Sequence, residues 1–224
     1  MLSSIYETLT VYNKGGTAIM EKVCKDWSIA FDPELVNPNY WNEFEENAKA
    51  ASAEIWQVNN YAEAAQAITT LIQTTKAQKV IAVGNEESTS LASVYDSLKS
   101  LDINLYTDKF AIAENASTAD IGISTAEFAV GETGSVCVDS YSYESRIVGM
   151  LPPIHIVFLD RSCTVENMTT AFKVISRVFN KGYMGFITGP SRTADIERVL
   201  SLGVHGPSRF IIIAVDEAEN GGRN

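Results

Sequence analysis

Three glycine-bearing stretches of the chain combine residue types that can hold or transform a ligand. The first, GPSRTADIE, runs from Gly189 to Glu197 and follows the apolar run MGFIT (184–188). That spacing predicts a buried strand handing over to a helix ADIERVLSL (194–202). Ligands of open α/β sheets gather outside the carboxyl ends of strands, and a helix N-terminus adds unpaired N–H groups and partial positive charge. Ser191 and Thr193 supply hydroxyls, and Arg192 supplies a planar fork suited to carboxylate or phosphate. With Gly189 and Asp195 they make a candidate anion cradle. The same residues also read as an ordinary helix start, with Thr193 as cap and Asp195 complementing the dipole. The sequence leaves both readings open.

The second stretch, FAVGETGSVCV, places Glu132 and Thr133 between Gly131 and Gly134, directly ahead of a strand. Such a turn can face backbone N–H groups toward a ligand and hold a carboxylate at the strand edge, or simply turn the chain. In the third, GVHGP, His205 precedes Gly206 and Pro207. It can act as a general acid or base, or hydrogen-bond a backbone carbonyl and do nothing else. The other histidine, His155, opens the strand HIVFLD and is expected to be structural. Two histidines exclude a metal site of several imidazoles.

The rest of the chain narrows the chemistry. A formal net charge of −11 opposes general affinity for nucleic acid or anionic membranes, so an anionic ligand needs a local positive site. Cys24, Cys137 and Cys163 are odd in number and far apart, which gives neither a disulfide framework nor the spacing of a zinc or iron–sulfur site. The opening MLSSIYETLTVYNKGG carries Glu7 and Lys14 where a secretory signal needs an unbroken apolar stretch, and no apolar run approaches the ~20 residues of a membrane span. A cytoplasmic protein without a membrane span is the expectation. The signatures G-x-G-x-x-G after the first strand, G-x-x-x-x-G-K-[ST], G-x-S-x-G and H-E-x-x-H are absent, so no standard dinucleotide, nucleoside triphosphate, hydrolase or zinc-protease motif is present.

The elements that must position the three stretches are legible from residue 54 onward. AEIWQV, KVIAVG and INLYT read as strands, separated by helices with Tyr61, Ala65, Ile68 and Ile72 on one stripe and Leu91, Val94, Leu98 and Leu101 on the next. KVIAVG is apolar on both faces, as a parallel strand covered by helices on each side must be. ADIGIST, SVCVDS and IHIVFLD follow as strands, the last two joined by a short segment without a crossover helix, where mixed pairing is expected. A helix through Met168, Ala171, Phe172, Ile175 and Val178, the strand MGFITG and the final strand FIIIAV complete the pattern. The expected fold is α/β: a mixed, mostly parallel sheet with helices on both faces. Residues 1–53 read as a helical arm whose Tyr40, Trp41 and Phe44 pack on the core or a partner. Residues 54–217 form the α/β domain, and 218–224 a polar tail.

GETGS, GPSRTADIE and GVHGP, in this order, together with ADIGISTAEFAVGETGSVCV and RIVGMLPPIHIVFLD, resemble the LUD-domain family over roughly residues 54 to 216. The resemblance implies a fold similar to the sugar-phosphate isomerase and coenzyme A transferase-like group. It also implies a subunit acting beside an iron–sulfur protein and a protein with a cysteine-rich domain in oxidation of L-lactate to pyruvate. No cofactor is then expected in this chain, with iron–sulfur clusters on the partners. Carried onto this sequence, the resemblance makes Glu132 and His205 the candidate catalytic residues. Thr133, Gly134, Arg146, Gly189, Ser191, Arg192, Thr193, Asp195 and Gly206 become candidate binding residues for a small carboxylate or phosphate-bearing ligand. Two other readings stand beside it: a transferase- or isomerase-type enzyme with Glu132 as nucleophile or base, and a non-catalytic interaction protein. Whether the chain forms a homo-oligomer is open at this stage.

Overall fold

The computed structural model describes residues 31–84, 88–178, 184–190, 192–194, 200–202 and 206–216, with backbone alone for 192–194 and 200–202. Its frame is a six-stranded, fully parallel sheet. The strands are β1 (Glu54–Val58), β2 (Lys79–Ala82), β3 (Asn104–Tyr106), β4 (Ile121–Thr125), β7 (Ile154–Asp160) and β12 (Arg209–Val215), in spatial order β1-β12-β7-β4-β2-β3. The central strands β7 and β12 are buried almost throughout, as expected of runs apolar on both faces. Helices α2 (Tyr61–Thr75) and α3 (Thr89–Lys99) cover one face and bury Ile68, Leu71, Leu91, Val94 and Leu98 against it. Asn60 and Ser88 cap them by accepting the N–H groups of Glu63 and Leu91, and α2 stops where Lys76 turns left-handed at φ 57°.

A second layer lies on the other face. β5 (Phe128–Val130), β6 (Ser135–Asp139), β8 (Thr164–Val165) and β9 (Met184–Ile187) form a four-stranded sheet in order β8-β5-β6-β9. Its inner side meets the first sheet through Val136, Val157 and Ile212, and helix α1 (Trp41–Ala50) adds Trp41, Phe44 and Ala48 to the same core. Its outer side carries α6 (Met168–Val178), through Ala171, Val174 and Val178. Two further helices, α4 (Lys109–Asn115) and α5 (Tyr143–Met150), pack beside this layer with Ile112, Ile147 and Val148 against Ile81.

Three details depart from the sequence reading. The main sheet has no antiparallel pairing among the described residues, because β5 and β6 leave it as a hairpin before β7 rejoins it parallel to β4. That return needs a crossover. It is made by α5, eight residues capped by Ser142, whose short stripe of Ile147 and Val148 gives little periodicity to read. Where a helix over 194–202 is expected, the described residues Arg192–Ala194 (β10) and Leu200–Leu202 (β11) pair as antiparallel strands. The ladder between them takes up the backbone groups that a helix would have paired internally. The anion cradle therefore has no helix N-terminus beginning at Ala194.

One ion pair ties the first strand to the last. Arg209 Nε and Nη2 both donate to the carboxylate of Glu54, the second at 2.8 Å. The hydrogen bond from Arg209, with its charge, holds the Glu54 carboxyl below its ordinary value of 4.5 despite partial burial. The contribution to stability is thus complete above pH ~4.5 and is lost as pH falls through the depressed folded value. Both side chains are more than a third exposed, so solvent screening limits the effect to under about 1 kcal/mol. Thermal melts at pH 7 and pH 3 should show a smaller acid-induced drop in Tm for Glu54→Gln than for the parent chain.

Candidate functional site

The strand order fixes where a ligand can sit. From β2 the chain moves outward through α3 to β3, whereas from β4 it moves the other way to β7 and β12. Neighbouring connections therefore diverge above the carboxyl ends of β2 and β4, the switch point at which open α/β sheets leave a crevice. A cleft of about 660 Å³ opens there, bounded by Gly84 after β2, Ser124 and Thr125 on β4, Asp139 and Ser140 at the end of β6, and α5.

Close backbone packing shapes its floor. A Cβ on Gly122 of β4 would lie 2.1 Å from the Val148 carbonyl oxygen, so only glycine lets α5 settle on the sheet at that point. Gly149 lies against the ring of His155, which also packs on Phe210 with centroids 5.4 Å apart. His155 Nε2 is 2.8 Å from Ser124 Oγ, while Nδ1 is buried and has no hydrogen-bond partner among the described residues. Burial drives the His155 pKa down to about 3, so the imidazole is neutral at physiological pH.

Charge is arranged around this floor. Arg146 of α5 donates through Nη1 to the carbonyl oxygens of Ser140 (3.0 Å) and Tyr141 (3.4 Å), tying the loop after β6 to the helix. Lys109 stands on the cleft wall at the start of α4, whose cap is Asp108. Asp108, Glu127, Asp139 and Glu144 line the cleft against only Lys109 and Arg146, so net charge does not draw an anion in. Glu127 is 4% exposed. Burial, then the charges of Glu127 and Asp139, push the Cys137 thiol up, which keeps it protonated and unreactive at neutral pH. Among the described residues no three His, Cys, Asp or Glu side chains are grouped to hold a metal ion, and no helix is long and apolar enough to cross a membrane.

Of the candidate site residues that are described, Arg146 lines this cleft. Gly131 to Gly134 form the β5–β6 turn, which packs on the carboxyl-terminal half of α1: Asn47 Nδ2 donates to the carbonyl oxygens of Gly131 (2.9 Å) and Glu132 (3.2 Å). Glu132 is exposed, and its Oε2 accepts the Met168 N–H at the start of α6 (3.3 Å). Thr133 Oγ1 is buried without a partner among the described residues. Gly189 lies against Ala51, and Ser135 Oγ meets Thr188 Oγ1 at 2.8 Å, so the first and second stretches do come together. They meet at the Ser135 end of β6, roughly 13 Å along the strand from the Asp139 end that borders the cleft. Gly206 precedes β12 at the amino edge of the main sheet, where Ser208 N–H donates to the Pro153 carbonyl. Arg192 and Thr193 are placed as backbone in β10, opposite Leu202 and Ser201. Ser191, Asp195 and His205 lie outside the described residues.

Sequence reasoning passed over Ser124 and Glu127 and set His155 aside as structural. The available signal was a run of buried strand, ADIGISTAEF, carrying a serine, a threonine and an acid where core residues are expected.

Comparison with known proteins agrees with this architecture. The LUD domain model matches residues 41–215, taking in α1. Lactate utilization protein C of Bacillus pumilus is 35% identical over 89 residues, which are 38% of this chain and 37% of that protein. The proteins of that name from Shouchella clausii (88 residues; 38% of each chain) and Geobacillus kaustophilus (89 residues; 38% of this chain and 37% of that one) are each 38% identical. The matched stretch thus spans well under half the length of these relatives. The crystal structure of a DUF162 family protein from Deinococcus radiodurans superposes with a TM-score of 0.55 at 20% identity, covering 79% of this chain and 96% of that one, a likeness of fold. With the family model running from the first residue of α1 to the last of β12, the chain belongs to the LUD domain family.

Proposed function

We propose that this chain is a subunit of a lactate-utilisation system that binds a small carboxylate- or phosphate-bearing ligand in the Arg146 cleft. Conversion of L-lactate to pyruvate releases two electrons and two protons. In this reading an iron–sulfur subunit and a cysteine-rich-domain subunit carry the electrons, while this chain supplies binding and orientation. The reading is carried by a polar cleft at the switch point of a chain whose relatives are named Lactate utilization protein C.

Arg146 and Lys109 bring two positive charges to the lining of the cleft, the first as a planar guanidinium suited to a carboxylate and the second as a point charge. A cleft of this volume takes ligands up to cofactor size, so a three-carbon acid would occupy only part of it. The transferase-type reading centred on Glu132 draws less support, because that carboxylate is exposed and engaged at the start of α6.

Deleting the gene in a strain without a redundant lactate-oxidising enzyme should abolish growth on L-lactate as sole carbon source and leave growth on pyruvate intact. Normal growth on L-lactate would overturn the assignment.

A further inference from the structure

The floor of the cleft holds a pair of groups that countercharge for an anion does not use. Ser124 on β4 and His155 on β7 are 5% and 1% exposed, and both line the cleft. Their side chains project from the same face of the sheet and are joined at 2.8 Å, with no polar partner on His155 Nδ1 among the described residues.

Since the imidazole is neutral, it carries one N–H, and the two tautomers leave different groups stranded. With the proton on Nδ1, a buried N–H has no acceptor and the Ser124 proton is spent on Nε2. With the proton on Nε2, that N–H donates to Ser124 Oγ and only a lone pair is stranded. Orphaned buried donors are the rarer case, which favours the second arrangement. Ser124 then keeps its own proton as a donor, and the imidazole fixes the position of the hydroxyl. A neutral histidine of low pKa is suited to this task because it does not change charge as pH moves through the physiological range.

We propose that Ser124 is a specificity-determining hydroxyl that donates to the oxygen on the second carbon of a small 2-hydroxy or 2-oxo acid, with His155 as its positioning residue. The inference rests on the reading that the cleft binds a small acid, and it names the class of acid. A cleft that supplies a fixed donor discriminates against an analogue lacking the acceptor, because the buried hydroxyl is then left unpaired.

Calorimetric titration of the full chain with L-lactate, pyruvate and propionate tests this, since propionate has the carboxylate but no oxygen on its second carbon. The parent chain should bind lactate and pyruvate about tenfold more tightly than propionate. Ser124→Ala should bring both down to the level of propionate and leave propionate unchanged, whereas Ser124→Thr, which keeps the hydroxyl, should restore the preference. Nitrogen-15 NMR should find His155 protonated at Nε2 and bare at Nδ1. Equal affinity of the parent chain for all three acids, a preference that survives Ser124→Ala, or a proton on Nδ1 would each overturn the proposal while leaving the cleft as a binding site. Failure of all three acids to bind the parent chain at millimolar concentration would overturn the cleft reading itself, and this proposal with it.

Discussion

Gly134→Ala should lower the unfolding free energy by roughly 3 kcal/mol or more, read as a fall in the urea midpoint at constant m. Two effects add. Gly134 has φ 64°, a left-handed conformation that a β-carbon disfavours. That β-carbon would also lie 2.2 Å from the Ala48 nitrogen, 2.4 Å from the Asn47 carbonyl carbon and 2.7 Å from the Ala48 α-carbon. All three are backbone atoms of α1, so no rotamer change relieves the clash and the helix itself must move. Moving it disturbs Trp41, Phe44 and Ala48, which help fill the space between the two sheets. Gly131→Ala in the same turn is the control: its nearest new neighbour is the Glu166 oxygen at 3.2 Å, and its loss should be well below that of Gly134→Ala. Equal midpoints for Gly134→Ala and the parent chain would mean that α1 does not hold this turn.

Arg146→Ala should weaken pyruvate binding by about a hundredfold, since truncating one partner of a hydrogen-bonded charge pair costs about 2–5 kcal/mol. It should reduce fold stability by only about 1 kcal/mol through the lost bonds to Ser140 and Tyr141. Arg146→Lys should fall between the two, because an ammonium keeps the charge but cannot serve the two carbonyls and a carboxylate with one planar fork. Isothermal titration with parallel melting curves separates binding from folding. Unchanged pyruvate affinity in Arg146→Ala would remove Arg146 from the ligand's surroundings.

The site was far less legible than the fold. Arg146 was marked by resemblance and does line the cleft, whereas the stretches that carry Glu132 and Gly189 come together, through Ser135 and Thr188, at the other end of β6. Those glycines stand out in sequence for a packing reason: Gly134 and Gly189 let turns approach the backbone of α1. Ser124 and Glu127 give only the weaker signal of polar residues in the run ADIGISTAEF, and His155, at the start of an apolar strand, gains meaning only from its neighbours across the sheet. The stretch over 194–202 shows that a helix-like start at Thr193 does not decide the element, since Arg192 to Ala194 pair with Leu200 to Leu202 as strands.

The sequence by itself determined the kinds of elements and most of their places. Apolar residues repeat with the period of a strand or a helix over a few residues, and strands buried on both faces must be apolar throughout. Only the tertiary structure decided that β6 leaves for a second sheet, that β2 and β4 are neighbours with diverging connections, and hence where the cleft opens. Strand order and register arise from packing between residues far apart in the chain, such as Ser124 with His155 or Glu54 with Arg209, and such contacts leave no periodic trace in the residues that make them.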